Sequence, residues 1–154
     1  MSVSFNVGVL SGDQVPLAFP LIRATWPGAD LASWQSFVEF FNDEIGAKRS
    51  GVLALRDPAG CICGVLAYRL DRDLRAGPIL AIHLFTAVDL LNSLRTVRAL
   101  LEAADGQALE LGCAGVQIRL RNDQSGLASH LRSLGVAPEA SLLWKKIDSA
   151  QTRN

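Results

Sequence analysis

Apolar positions in "VSFNVGVL" recur at every second residue. Val3, Phe5, Val7 and Val9 share one face, which predicts a strand. "SGDQVPLAF" follows with turn and helix-start chemistry. Pro16 suits a first helical turn and Pro20 interrupts a longer one, so a short, broken helix is expected to end near "WPGAD". Asp30 then caps a second helix, in which Leu31, Trp34, Phe37, Val38, Phe41 and Ile45 stand at helical spacing and Gly46 is the stop.

Two apolar runs flank "DPAG" in "GVLALRDPAGCICGVLAYRL", a hairpin signal. "GPILAIHLFTAV" is almost continuously apolar and reads as a strand buried on both faces. Leu90, Leu94, Val97, Leu101, Ala104 and Ala108 stripe a helix from about Asp89 to Leu111, ended by Gly112. "GVQIRL" predicts a fifth strand. "DQSGLASHLRSLG" predicts a helix capped by Asp123 or Ser125 and stopped by Gly135, and "ASLLWKKI" a closing strand. The order β-α-α-β-β-β-α-β-α-β places the chain in the α/β class, as a mixed sheet with helices on both faces. One domain is expected over residues 1–148, with a loose tail at 149–154.

Composition narrows the function. The 154 residues are 49% apolar and 19% charged, with zero formal net charge. That fits a compact fold and gives no global electrostatic case for nucleic acid or an anionic membrane as partner. Cys61, Cys63 and Cys113 are too few and too scattered for a disulfide framework. The C-x-C pair finds no second ligand cluster for zinc, so no metal is expected. The N-terminus lacks the basic and apolar segments of a secretory signal, and cytoplasmic residence is expected. No Ser-His-Asp array, P-loop or dinucleotide fingerprint is present.

"LLEAADGQALELGCAGVQIRL" (Leu100 to Leu120) and "HLRSLGV" (His130 to Val136) carry a resemblance. A double leucine, an alanine seven residues on and a glycine closing the helix are similar to the helix-to-strand stretch of the GNAT superfamily of N-acetyltransferases. "HLRSLGV" resembles that family's late helix, with Val136 in place of Phe. The element order resembles the family along nearly the whole chain, so a GNAT-like fold is expected. The resemblance implies a gap where two parallel strands splay, taking the pantetheine arm of acetyl-CoA or another acyl-CoA. It also implies a Gln/Arg-x-x-Gly-x-Gly loop holding the pyrophosphate at a helix N-terminus. Function follows as transfer of an acyl group to the amine of a small molecule or peptide. The alternative is a catalytically inactive member of the fold that binds a ligand or a protein.

Counted from Leu100-Leu101, the loop positions fall on Asn92, Ser93, Leu94, Arg95, Thr96 and Val97, so Arg95 and Val97 replace both glycines. The tyrosine that protonates the leaving thiolate in the family falls on Leu131, and its asparagine before the late helix on Gln124, with Asn122 nearby. The resemblance implies backbone contacts to pantetheine from Thr86, Ala87 and Val88. Asn92, Ser93 and Thr96 could donate to phosphate and Arg95 and Arg98 could add charge; a solvated Arg95-Arg98-Glu102 face is the plainer alternative. His83, in the fourth strand, could act as general base or simply pack in the core. Trp26 and Trp34 could wall the amine site, although helical spacing with Phe37 and Phe41 also suits Trp34 to the core. His130 is expected to serve the surface or packing. The chain ends too soon after Gly135 for the family's usual final strand pair, which leaves that wall open or completed by a second subunit in a homodimer.

Overall fold

The computed structural model describes residues 4–42, 48–87 and 93–148. Strand β1 (Asn6–Val9) leads into a 3-10 stretch (Gly12–Ala18), helix α1 (Phe19–Thr25) and helix α2 (Leu31–Phe41). Strands β2 (Ser50–Arg56), β3 (Ile62–Asp73) and β4 (Gly77–Ala87) form a meander. Helix α3 (Ser93–Glu110), strand β5 (Val116–Ile118) and helix α4 (Ser125–Ser133) follow. The five strands lie side by side in chain order, antiparallel except for the parallel β4–β5 pair. That exception is the β-α-β crossover through α3, which puts α3 on the face opposite α1 and α2.

Local chemistry sets the element ends. Asp30 accepts a 2.7 Å bond from the Ser33 amide and starts α2. At "DPAG" the Asp57 carboxylate accepts from the Cys61 amide at 2.9 Å, and Gly60 takes the positive φ the turn demands. Gly112, at φ +71, lets the Cys113 amide fold back onto the Ala108 carbonyl and close α3. Helix α4 is capped by neither expected residue. Gln124 holds the cap position, while Asp123 is drawn into an ion pair with Arg121.

Two cores result. Ile22, Trp34, Val38 and Phe41 of α1 and α2 pack on Val52, Ala54, Val65, Ala67 and Leu84. On the other face Val97, Leu100, Ala104, Ala108 and Leu131 pack on Leu55, Leu66, Leu80, Ile82 and Phe85. Each fully buried Leu, Ile or Phe stabilises the fold by about 1.5–3 kcal/mol. Trp34 is nearly inaccessible and donates its indole N–H to the Val15 carbonyl at 2.8 Å. Among the described residues no helix is long and apolar enough to cross a membrane.

Three features go beyond or against the sequence pattern. Val7 and Val9 share a face with Leu55 and Leu53 but stay exposed, because the helices do not reach over this edge strand. The α2 helix stops at Phe41, where Asn42 turns its side chain to the Leu10 carbonyl and the Val52 amide; Ile45 and Gly46 lie outside the described residues. "ASLLWKKI" joins no strand among the described residues and leaves Leu142, Leu143, Trp144 and Ile147 in solvent.

Candidate functional site

The site begins as a fault in the sheet. Pairing of β3 with β4 runs Tyr68 opposite Ile82 and then Ala67 opposite Leu84, so His83 is the extra residue of a bulge. A bulge shifts the alternation of faces and sharpens twist. Leu80 and Ile82 face α3, and Phe85 rather than Leu84 is the next to do so. Beyond the bulge β4 stays bonded to β3 as far as Ala87 opposite Gly64, but not to β5. The last described β4–β5 bond is the Arg119 amide to the Ile82 carbonyl, at 3.0 Å. The two parallel strands therefore part just past His83, and the β5-facing main chain of β4 is left without a strand partner among the described residues.

His83 stands at this parting, on the face of α2. Its ring lies 5.2 Å from that of Phe41. Burial pushes its pKa below the ordinary value of 6.5, and the charges of Arg119 and Arg69 push it further down, against a smaller opposite pull from Asp71. Neutral imidazole is therefore favoured at neutral pH. No described residue hydrogen-bonds either nitrogen. Among the described residues no buried side-chain N or O is left without a partner, so the His83 nitrogens face accessible space.

Thr86, buried three residues past His83, shares a 2.7 Å hydrogen bond with Thr25 at the end of α1. Arg121, from the loop after β5, reaches across to the end of α1. It donates to the Thr25 carbonyl at 2.7 Å, grips both Asp123 carboxylate oxygens at 2.8–3.0 Å, and lies 4.9 Å from the Trp26 ring centre. Thr25 and Arg121 carry no signal in the sequence. They meet partners 61 and 96 positions away, so no local pattern marks them.

The remaining candidates divide. Trp26 lies under the Arg121 guanidinium, at the end of α1. Trp34 is corrected to the core, since its ring is buried and its N–H is used. Positions 93–97 are helical rather than a loop. Val97 and Thr96 bury their side chains on the sheet-facing side of α3. Leu94 and Arg95 are exposed on the first turn of α3, which holds no acidic residue. Arg95 and Arg98 form no ion pair among the described residues, and neither pairs with Glu102. The Gln124 side-chain oxygen accepts from the Arg121 amide at 2.9 Å, and Asn122 is exposed beside it. Val88 and Asn92 lie outside the described residues, as does the side chain of Ser93. Among the described residues no cluster could hold a metal ion.

The thiols stand apart from this chemistry. Burial, with the charge of Asp57 adding to it, pushes Cys63 up to about 11, and its sulfur contacts the Leu55 carbonyl at 3.5 Å. In native protein at pH 8, iodoacetamide should label exposed Cys61 and spare Cys63, with urea exposing Cys63. Peptide mass spectrometry checks this, and equal labelling of both would contradict the packing around β3.

No family model matches the sequence, and no curated protein does. Solved structures do. The aminoglycoside N-acetyltransferase AAC(6')-Iy in complex with CoA superposes with a TM-score of 0.76 at 12% identity, over 95% of this chain and 97% of its own. The aminoglycoside 6'-N-acetyltransferase AAC(6')-Ih from Acinetobacter baumannii gives 0.73 at 12%, over 94% and 99%. A ribosomal-protein-alanine N-acetyltransferase from Brucella melitensis biovar Abortus 2308 gives 0.69 at 10%, over 96% and 100%. The fold is that of the GNAT acetyltransferases.

Proposed function

We propose that the chain transfers an acyl group from acyl-CoA to an amine of a small molecule or peptide. The observation that carries this reading is the release of β4 from β5 immediately past a bulged, unpartnered histidine. One of the similar structures contains CoA, and the similar proteins named above are N-acetyltransferases.

The residues present fit an acyl-CoA. The main chain of β4 at Thr86 and Ala87 offers hydrogen bonds to an amide-bearing arm lying in the gap. The first turn of an α-helix leaves N–H groups free of intrahelical partners, here at Ser93, Leu94 and Arg95, and among the described residues the Arg95 and Arg98 guanidiniums have no ion-pair partner. A cation in that turn is unfavourable against the helix dipole unless an anion sits there. Asn92 and Asn122 complete the proposed phosphate set, with the Gln124 amide nitrogen as a further donor. The bound acyl-CoA supplies the thioester carbonyl that the amine attacks. His83 takes the amine proton on its free nitrogen, and its depressed pKa keeps it ready to do so. Trp26, fixed by Arg121, forms one wall for the acceptor.

The test is release of free thiol from acetyl-CoA across a panel of amines, including aminoglycosides and peptide N-termini. Amine-dependent release supports the reading. CoA binding without release on any amine leaves a binding module, and no binding at millimolar CoA overturns the reading altogether.

A further inference from the structure

Three neighbouring strands bring basic side chains to one face of the sheet. Val65 and Ala67 of β3 pack beneath α1 and α2, and Arg69 continues their row. Val116, Ile118 and Leu120 pack toward α3, so Gln117 and Arg119 turn to the opposite face. His83 stands between these rows, because Arg69 pairs with Ala81 of β4 and the Arg119 amide bonds to the Ile82 carbonyl. Both guanidiniums are close enough for their charge to act on the His83 ring. A row of rings holds Arg69 in place. Its guanidinium lies 5.2 Å from the Phe40 centroid, Phe40 packs edge-on against Phe41, and Phe41 packs against His83. Arg69 and Arg119 are exposed and, among the described residues, neither has an ion-pair partner. The carboxylates nearby are otherwise engaged. Asp71 accepts from the Arg72 amide at 2.7 Å, and Asp123 is paired with Arg121. A polycation such as an aminoglycoside would meet like charge here, whereas a carboxylate matches the planar guanidinium fork.

We infer that the amine acceptor carries a carboxylate, as an amino acid does, and that Arg69 and Arg119 flank His83 to hold it. The inference rests on the acyl-transfer reading above and names its substrate class. A carboxylate fixed by the two guanidiniums sets the amine beside the imidazole. The nitrogen then attacks the thioester carbonyl. The C–N bond forms as the C–S bond breaks, the amine proton passes to His83, and the departing thiolate takes a proton from solvent.

Thiol release from acetyl-CoA with matched acceptors tests the assignment. Alanine, phenylalanine and methionine are compared with their carboxamides, and an aminoglycoside serves as the polycation. Each amino acid should exceed its carboxamide in kcat/KM by about tenfold or more. The carboxamide has the less basic amine, so intrinsic reactivity at neutral pH favours the opposite order. Arg69→Gln and Arg119→Gln should each bring the ratio towards one by raising KM for the amino acids. Both side chains are exposed, so the variants should fold. Equal or better turnover of the carboxamides or the aminoglycoside overturns the carboxylate assignment and leaves acyl transfer standing. A ratio unchanged in both variants does the same. Thiol release with no amine at all overturns acyl transfer and this assignment together.

Discussion

His83→Gln should slow acyl transfer by about 10²–10⁴-fold, with little change in CoA affinity. Glutamine keeps the volume and polarity of the bulged position but cannot accept a proton near neutral pH. Because His83 titrates below 6.5, the wild-type rate should rise with pH through that depressed value and level off by neutrality. The variant should lose this acidic limb. The same shift enters stability. An unfolded chain binds the His83 proton more readily than the folded one, so stability is unaffected above the unfolded value of 6.5. It falls as pH drops below that value and levels off beneath the folded one. His83→Gln should flatten this part of the stability profile. Steady-state kinetics from pH 5 to 9 and urea titrations over the acid range read both effects. An unchanged rate with an unchanged acidic limb would remove His83 from proton transfer.

Trp34→Ala should destabilise the fold by about 3–5 kcal/mol. The substitution empties the centre of the α1–α2 core and leaves the Val15 carbonyl without its donor. Trp34→Phe keeps most of the apolar volume, loses the hydrogen bond, and should cost about 1–3 kcal/mol. Equilibrium urea unfolding measures both. A loss below about 1 kcal/mol for Trp34→Ala would return Trp34 to the acceptor wall, where helical spacing alone could not exclude it.

Elements bounded by local chemistry were legible in the sequence. The Asp30 cap, the "DPAG" turn, and the glycines closing α3 and α4 work within a few residues of themselves, and they stand where the pattern put them. Features decided by distant partners were not legible. Val7 and Val9 alternate like any half-buried strand, but whether a helix covers them is settled by the reach of α3 and α4. The bulge at His83 is a matter of register against β3, and "AIHLF" carries no mark of it. Trp26 and Trp34 looked equivalent until the fold buried one and set the other under Arg121. At the candidate site the sequence placed the strand and the helix that frame the gap. The clasp of Arg121 on Thr25 joins segments that no sequence window contains together.

The central claim is that the gap between β4 and β5 past Ile82 takes the pantetheine arm of CoA. A titration of labelled protein with CoA, followed by amide NMR, tests it most directly. The amides of residues 84–87, of the loop 119–123 and of the first turn of α3 should shift together along one saturating curve. At one hundred times the dissociation constant, the bound form should gain about 2.7 kcal/mol in stability. Silence at those amides with millimolar CoA, or shifts confined to the β1 edge, would contradict the account.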